Sequence, residues 1–195
     1  MARRTHYSAI AISFHWLIAI LIFANIWLGW RMSQLKGLAM FELFQLHKSI
    51  GITVLLLSVL RLGWRLVNPG PAHPSHMSRG ERLAATAAHW LLYSFMILLP
   101  LTGWIIVSAS LYNLPTLLFK TVPWPHIGMV HNLPIGTRKT VEDQVGVVHE
   151  WLAWTLLALA VFHVAAALKH HLIDRDDVLT RMLPLLRRRS QTSEI

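Results

Sequence analysis

From residue 7 to residue 30 the chain carries no charged side chain. About 20 consecutive apolar residues are enough for a helix to cross the hydrocarbon core of a bilayer. Three more apolar stretches follow, over residues 41–67, 83–109 and 145–172. Lipid offers no partner to an unpaired peptide group, so such stretches must be helical. The expectation is an all-α, four-helix transmembrane bundle over residues 1–173, followed by a basic tail over 174–195. The second stretch has a short apolar centre, residues 49–60, with Lys48 and Arg61 at its ends. Long cationic side chains can reach the headgroups, so it still spans. Pro100 and Gly103 are expected to bend the third. The first stretch is too long for a signal-peptide apolar region and has no small-residue cleavage site after it.

Composition agrees. The 195 residues are 54% hydrophobic and 14% charged, against about 25% charged in a soluble domain. Cysteine is absent, which excludes thiolate haem ligation, covalent c-type attachment, cysteine-bound clusters and disulfides. The net charge of +9 lies at the ends of the spans rather than in a patch of groove size, so membrane orientation explains it and nucleic acid is not an expected partner. With four spans both termini share a side. Arg3, Arg4, Arg61, Arg65, Arg79, Arg82, Lys169, Arg175, Arg181, Arg187, Arg188 and Arg189 lie there, against Arg31, Lys36, Lys48, Lys120, Arg138 and Lys139 opposite. The positive-inside rule puts the termini in the cytoplasm. Pro and Gly between residues 68 and 75 mark a turn-rich linker. About 35 residues with four prolines join the last two spans on the outer side.

Histidines inside the spans carry the chemistry. His149 and His163 are 14 residues apart on nearly one face of the fourth span, about 21 Å along the axis. By topology His15 lies at the depth of His163 and His47 at the depth of His149. Each pair joins two different helices, as ligands facing across a bundle must. Two neutral imidazoles on opposite sides of one plane are the ligand set of a six-coordinate b-type haem, which suits outer-sphere electron transfer. A hydrogen-bonded packing role is the alternative for any one histidine alone. Metal transport would need acidic partners, and Glu42 and Glu150 lie only at the outer edge.

The strings Tyr7-Ser8, Ile12-Ser13-Phe14-His15-Trp16 and Leu46-His47-Lys48-Ser49-Ile50-Gly51 carry a resemblance. So do Arg61-Leu62-Gly63-Trp64-Arg65, Ala88-His89-Trp90, Leu99-Pro100-Leu101-Thr102-Gly103, Val148-His149-Glu150, and His163 to His171 with Asp177 and Arg181-Met182-Leu183-Pro184. Over nearly its whole length the chain resembles the bacterial cytochrome b561 family. The resemblance implies two haem b groups, His15/His163 inner and His47/His149 outer, in a bacterial inner membrane. It also implies a superoxide oxidase type that takes electrons from superoxide at the periplasmic side and reduces ubiquinone. The long outer loop diverges from that type, so the donor is the less secured part of the likeness. An electron-relay subunit of a larger membrane dehydrogenase or hydrogenase, or a haem-free transport or scaffold bundle, would share the outline.

Further residues are candidates around the haems. Arg61 and Arg65 match propionate geometry or act as snorkelling anchors. His170, with Lys169 and His171, is placed to meet a quinone carbonyl or a propionate, or to form a basic interfacial anchor. His89 is a candidate for the quinone pocket, or packs at the interface. Lys48, Lys120, Arg138 and Lys139 either form a positive funnel for an anion such as superoxide or are ordinary solvated loop charge. Trp124, between two prolines, is a candidate cap on the outer haem.

Overall fold

A computed structural model describes residues 6–72 and 74–186 of the chain. Its elements are α1 Ala9–Met32, α2 Gly37–Val67, α3 Arg79–Ala109, β1 Thr116–Leu118, β2 Val122–Trp124, a short α4 Gly128–His131, α5 Ile135–Leu172 and a closing 3-10 turn Pro184–Leu186. Helices α1, α2, α3 and α5 are each long and apolar enough to cross a membrane. Local chemistry sets their starts. Ser8 accepts from the Ala11 amide at 3.2 Å, and Ser78 with Glu81 forms a reciprocal capping box on α3, satisfying amides a helix start leaves open. Gly37, at φ +67°, makes the turn that returns α2 antiparallel to α1, a conformation that favours glycine. Helix α3 runs unbroken through Pro100.

Helix α5 begins ten residues before the expected residue 145. The extension, residues 135–144, is polar and is stapled by Lys139 to Asp143 at 2.6 Å, one turn apart. Charge marks where the bilayer ends, not where the helix ends, and an i, i+4 pair supports a helix in water. The connection from α3 is therefore shorter than expected, residues 110–134, and it is folded. Strands β1 and β2 pair antiparallel with Thr116 opposite Trp124. Phe119 and Lys120 make the turn at φ 50° and 63°, a hairpin conformation usually given to Asn and Gly.

The hairpin is fastened to α2, where Ser49 Oγ accepts from the Phe119 amide at 2.9 Å. The stretch after it is fastened to the end of α3. Trp104 Nε1 donates to the Pro125 carbonyl at 2.8 Å, and the Ile127 amide donates to Ser108 Oγ at 2.9 Å. Arg138 donates to the Ala109 carbonyl at 3.1 Å and also to that of Ser110. His131 Nδ1 lies 3.3 Å from the Ser108 carbonyl. These are the last carbonyls of α3, where cationic donors complement the helix dipole.

At the opposite end, which carries the termini, residues 174–186 fold back under the bundle. Trp16 Nε1 donates to the Met182 carbonyl at 2.8 Å, and Arg181 donates to the Ala72 carbonyl at 2.6 Å. Arg3, Arg4, Arg187, Arg188 and Arg189, used in the orientation argument, lie outside the described residues.

Helix α1 packs on α2, α2 on α3, and α3 on α5, while α5 meets α1 only sparsely. Buried side chains such as Ile18, Ile52, Leu55, Met96 and Leu156 line the interior. Large apolar groups such as Trp151 and Phe162 point outward, each more than 70% exposed. That inversion of a soluble fold fits a lipid-facing surface.

Two histidine pairs across the bundle: the candidate cofactor site

The sparse seam between α5 and the α1–α2 pair is where the four histidines meet. His15 on α1 faces His163 on α5 with ring centroids 6.2 Å apart. His47 on α2 faces His149 on α5, also at 6.2 Å. Two metal–imidazole bonds of about 2 Å, plus the half-widths of two five-membered rings, come to roughly 6 Å. Each pair thus stands at the separation a single metal between two imidazoles requires, on helices that leave room between them. The residues present fit a bis-imidazole haem at both levels.

The pair at the loop end is held for such a role. His47 Nδ1 lies 3.0 Å from the Asn25 carbonyl and can only donate to it. His149 Nδ1 lies 2.8 Å from Thr102 Oγ1, whose own hydroxyl donates to the Leu99 carbonyl at 2.7 Å; Nδ1 is again the donor. Both rings therefore carry the proton on Nδ1 and leave Nε2 with its lone pair, the arrangement ligating histidines show. Two glycines make room for these rings. A Cβ on Gly29 would stand 3.3 Å from His47 Cε1, and one on Gly103 would stand 3.2 Å from His149 Cε1.

The pair at the termini end differs. Arg61 Nη1 lies 3.1 Å from His15 Nδ1. A guanidinium only donates, so His15 Nδ1 accepts and the ring proton sits on Nε2. Arg61 also donates to the Tyr93 hydroxyl at 3.3 Å. His89 of α3 stands beside His163 with centroids 5.5 Å apart, which brings three imidazoles and one guanidinium together at this level.

The other candidates separate by location. Arg65 lies over the Tyr7 ring at 5.9 Å, with Gly70 packed against both. Lys169 is taken up by Glu81 at 3.0 Å and Asp174 at 2.8 Å. His170 Nδ1 stands 2.7 Å from Asp176 and 3.2 Å from Asp174, and His76 stands 3.2 Å from the same Asp176 oxygen. Burial alone would raise the Asp176 carboxyl. The Val178 amide and the His170 and His76 imidazoles outweigh it and hold the group below the ordinary carboxylate value. Lys169 and His170 thus fasten the returning segment to the bundle end, and His171 is half-buried beside them.

The outer cations are largely committed as well. Lys120 pairs with Glu42, Lys139 with Asp143, and Arg138 with α3 carbonyls. Lys48 is not solvated: it is 8% exposed, under the Phe44 ring and 3.4 Å from Thr116 Oγ1. Trp124 stacks near Trp104 at 5.4 Å.

Sequence reasoning did not single out Asn25, Gly29, Tyr93 or the aspartates around His170. Thr102 had entered only as part of a motif, and Gly103 as part of it and as an expected bend.

A profile of the prokaryotic cytochrome b561 family matches residues 6–185. The chain is 35% identical over 179 residues to Cytochrome b561 homolog 2 of Escherichia coli (strain K12), an alignment covering 91% of this chain and 90% of that protein. It is 29% identical over 185 residues to the Yersinia pestis protein named Probable superoxide oxidase CybB, covering 91% and 96%. Cytochrome b561 homolog 1 of Escherichia coli (strain K12) is 26% identical over 182 residues.

Proposed function

Because the chain belongs to the prokaryotic cytochrome b561 family, whose members are membrane electron-transfer proteins that bind haem b, we propose that it is a two-haem superoxide:ubiquinone oxidoreductase of a bacterial inner membrane. His15 and His163 hold the haem near the termini, and His47 and His149 hold the one near the loops. Both termini face the cytoplasm, and residues 1–173 form the membrane unit with a basic extension after it. The observation that carries this reading is the equal 6.2 Å spacing of both histidine pairs. The name of the Yersinia relative supports superoxide as the donor.

Bound haem supplies one-electron, outer-sphere transfer. The chain's own residues do the rest. His15 with His163 and His47 with His149 would each hold one such group, and a bis-histidine donor set would supply electron transfer rather than ligand binding. Asn25 and Thr102 fix the ring orientation of His47 and His149. The spans keep bulk water from the path. The overall change is two superoxide anions and one ubiquinone, with two protons, giving two dioxygen and one ubiquinol. At the termini end we assign the quinone contact to His89 and Arg61, which lie at the level of the His15–His163 pair, and to Arg65, whereas Lys169 and His170 are engaged with carboxylates.

A superoxide pulse onto the oxidised, haem-loaded protein in detergent tests the reading. Haem reduction at roughly 10⁸ M⁻¹s⁻¹, near the diffusion ceiling, followed by ubiquinol formation, is the expected result. Haem that stays oxidised through the pulse would make the protein a relay for a different donor.

A further inference from the structure

The folded outer loop holds polar groups that nothing among the described residues satisfies. Trp124 Nε1 and His126 Nε2 are both buried without a hydrogen-bond partner. They are two residues apart on extended chain, which turns both side chains to one side. Their backbone is fixed, since Trp104 grips the Pro125 carbonyl and Ser108 the Ile127 amide. Close by, the buried Lys48 ammonium has one long hydrogen bond, to Thr116 Oγ1 at 3.4 Å. Lys48, His131 and Arg138 all act electrostatically on His126. His131 and Arg138 are spoken for by the α3 carbonyls; Lys48, Trp124 and His126 are not.

A buried orphan donor on Trp124, an unpartnered ring nitrogen on His126 and a buried, poorly bonded cation are costly unless a partner arrives. The set sits at the loop end, with Lys48 next to His47 in sequence and Trp124 against Trp104, which follows Gly103 beside His149. A haem there must put its two charged carboxylates somewhere, and the aqueous end is where they cost least. At the termini end the helices offer Arg61 and Arg65 for such groups. At the loop end Lys48 of α2 is a buried helix cation, and Trp124 and His126 add loop groups to it.

Resting on the two-haem reading above, we infer that Lys48, Trp124 and His126 form a carboxylate clamp for the propionates of the loop-end haem, so that the outer loop is part of that cofactor's binding site. Burial first, and then His131, lower the pKa of His126, against a hydrogen bond to the Leu114 backbone. An arriving carboxylate reverses that balance and draws a proton onto Nε2. The same clamp chemistry would hold a small external anion, so the test separates the two sources.

The test uses haem-loaded protein with no donor added. Redox titration and resonance Raman spectra are recorded for the wild type and for Lys48→Gln, His126→Gln and Trp124→Phe. Lys120→Gln, an exposed charge on the same face, is the control. The loop-end haem is the component that survives His163→Ala. The clamp predicts a shifted propionate-bending band in all three variants. Its reduction equilibrium falls roughly tenfold in Lys48→Gln, with no change in Lys120→Gln. If Lys48→Gln does not retain haem, Trp124→Phe, which keeps the ring and removes only the N–H, carries the spectral test. Unchanged bands and potentials in variants with full haem content overturn the clamp. So does a change seen only when superoxide is then added, as an altered salt dependence of haem reduction by superoxide, which would make the cluster a site for an external anion. A wild-type titration with one component, by contrast, rejects the two-haem reading itself.

Discussion

Gly103 lies so close to His149 that a Cβ on it would stand 3.2 Å from the imidazole Cε1. Thr102, one residue earlier, fixes the same ring from its Nδ1 side. The two neighbours on α3 therefore set the position and the tautomer of one ring on α5. Gly103→Val puts a branched side chain where the imidazole stands. It should remove the loop-end haem, leaving about half the haem absorbance with the helices intact by circular dichroism. Gly103→Ala, which asks only a few tenths of an ångström of the ring, should keep both haems.

Thr102→Val tests the tautomer separately. It keeps the volume and removes the acceptor, so the loop-end haem should be retained less firmly. Changing the outer-shell partner of a ligating histidine typically costs 10–100-fold in affinity. Haem loss to an apoprotein acceptor measures it, and an unchanged rate would show that Thr102 only packs.

Arg61 donates to His15 Nδ1, a nitrogen that would carry the proton if Nε2 bound iron. Loading the termini-end site therefore displaces Arg61 from the ring and frees its guanidinium for a propionate. A cation near the haem favours the reduced state. Arg61→Gln should lower the potential of that haem alone, by about 59 mV for each tenfold change in the one-electron equilibrium. Equal shifts in both haems would place Arg61 elsewhere.

Asp176 ties His170 on α5 and His76 of the α2–α3 connection to the returning segment. Its pKa is depressed in the folded state. Its contribution is therefore complete above the unfolded carboxyl value of about 3.9 and is lost as pH falls through the lower folded value. Amide protection in residues 174–186, relative to the intrinsic exchange rate at each pH, should be high at pH 7 and fall below about pH 4. Asp176→Asn should exchange fast at pH 7 already. Slow exchange in the variant would mean that Trp16 and Arg181 hold the segment alone.

Much of this was legible in the chain. Four apolar stretches gave four spans, because lipid allows helices and little else. His149 and His163 fell on one face through helical periodicity, and topology paired them with His47 and His15. The structure brings those same pairs together. What could not be read depends on contacts far apart in sequence. Asn25 reaches His47 through its carbonyl, which any residue carries, so no side-chain signal marks it. Gly29 and Gly103 look like ordinary membrane glycines until a ring is set against them. Helix α5 starts ten residues before the span at residue 145 because residues 135–144 are polar, and hydropathy reports the bilayer rather than the helix. Lys48 read as loop-end charge, and the hairpin that buries it is fastened to α2 by contacts far apart in sequence, among them the Ser49 hydroxyl.

The central claim is that four histidines hold two haems in two independent pairs. Haem per chain, measured in the wild type and in His163→Ala, tests it most directly. The account predicts two haems in the wild type and one in the variant, with the survivor lost when His47→Ala is added. Two haems retained in His163→Ala, or a wild type that binds only one, would contradict it.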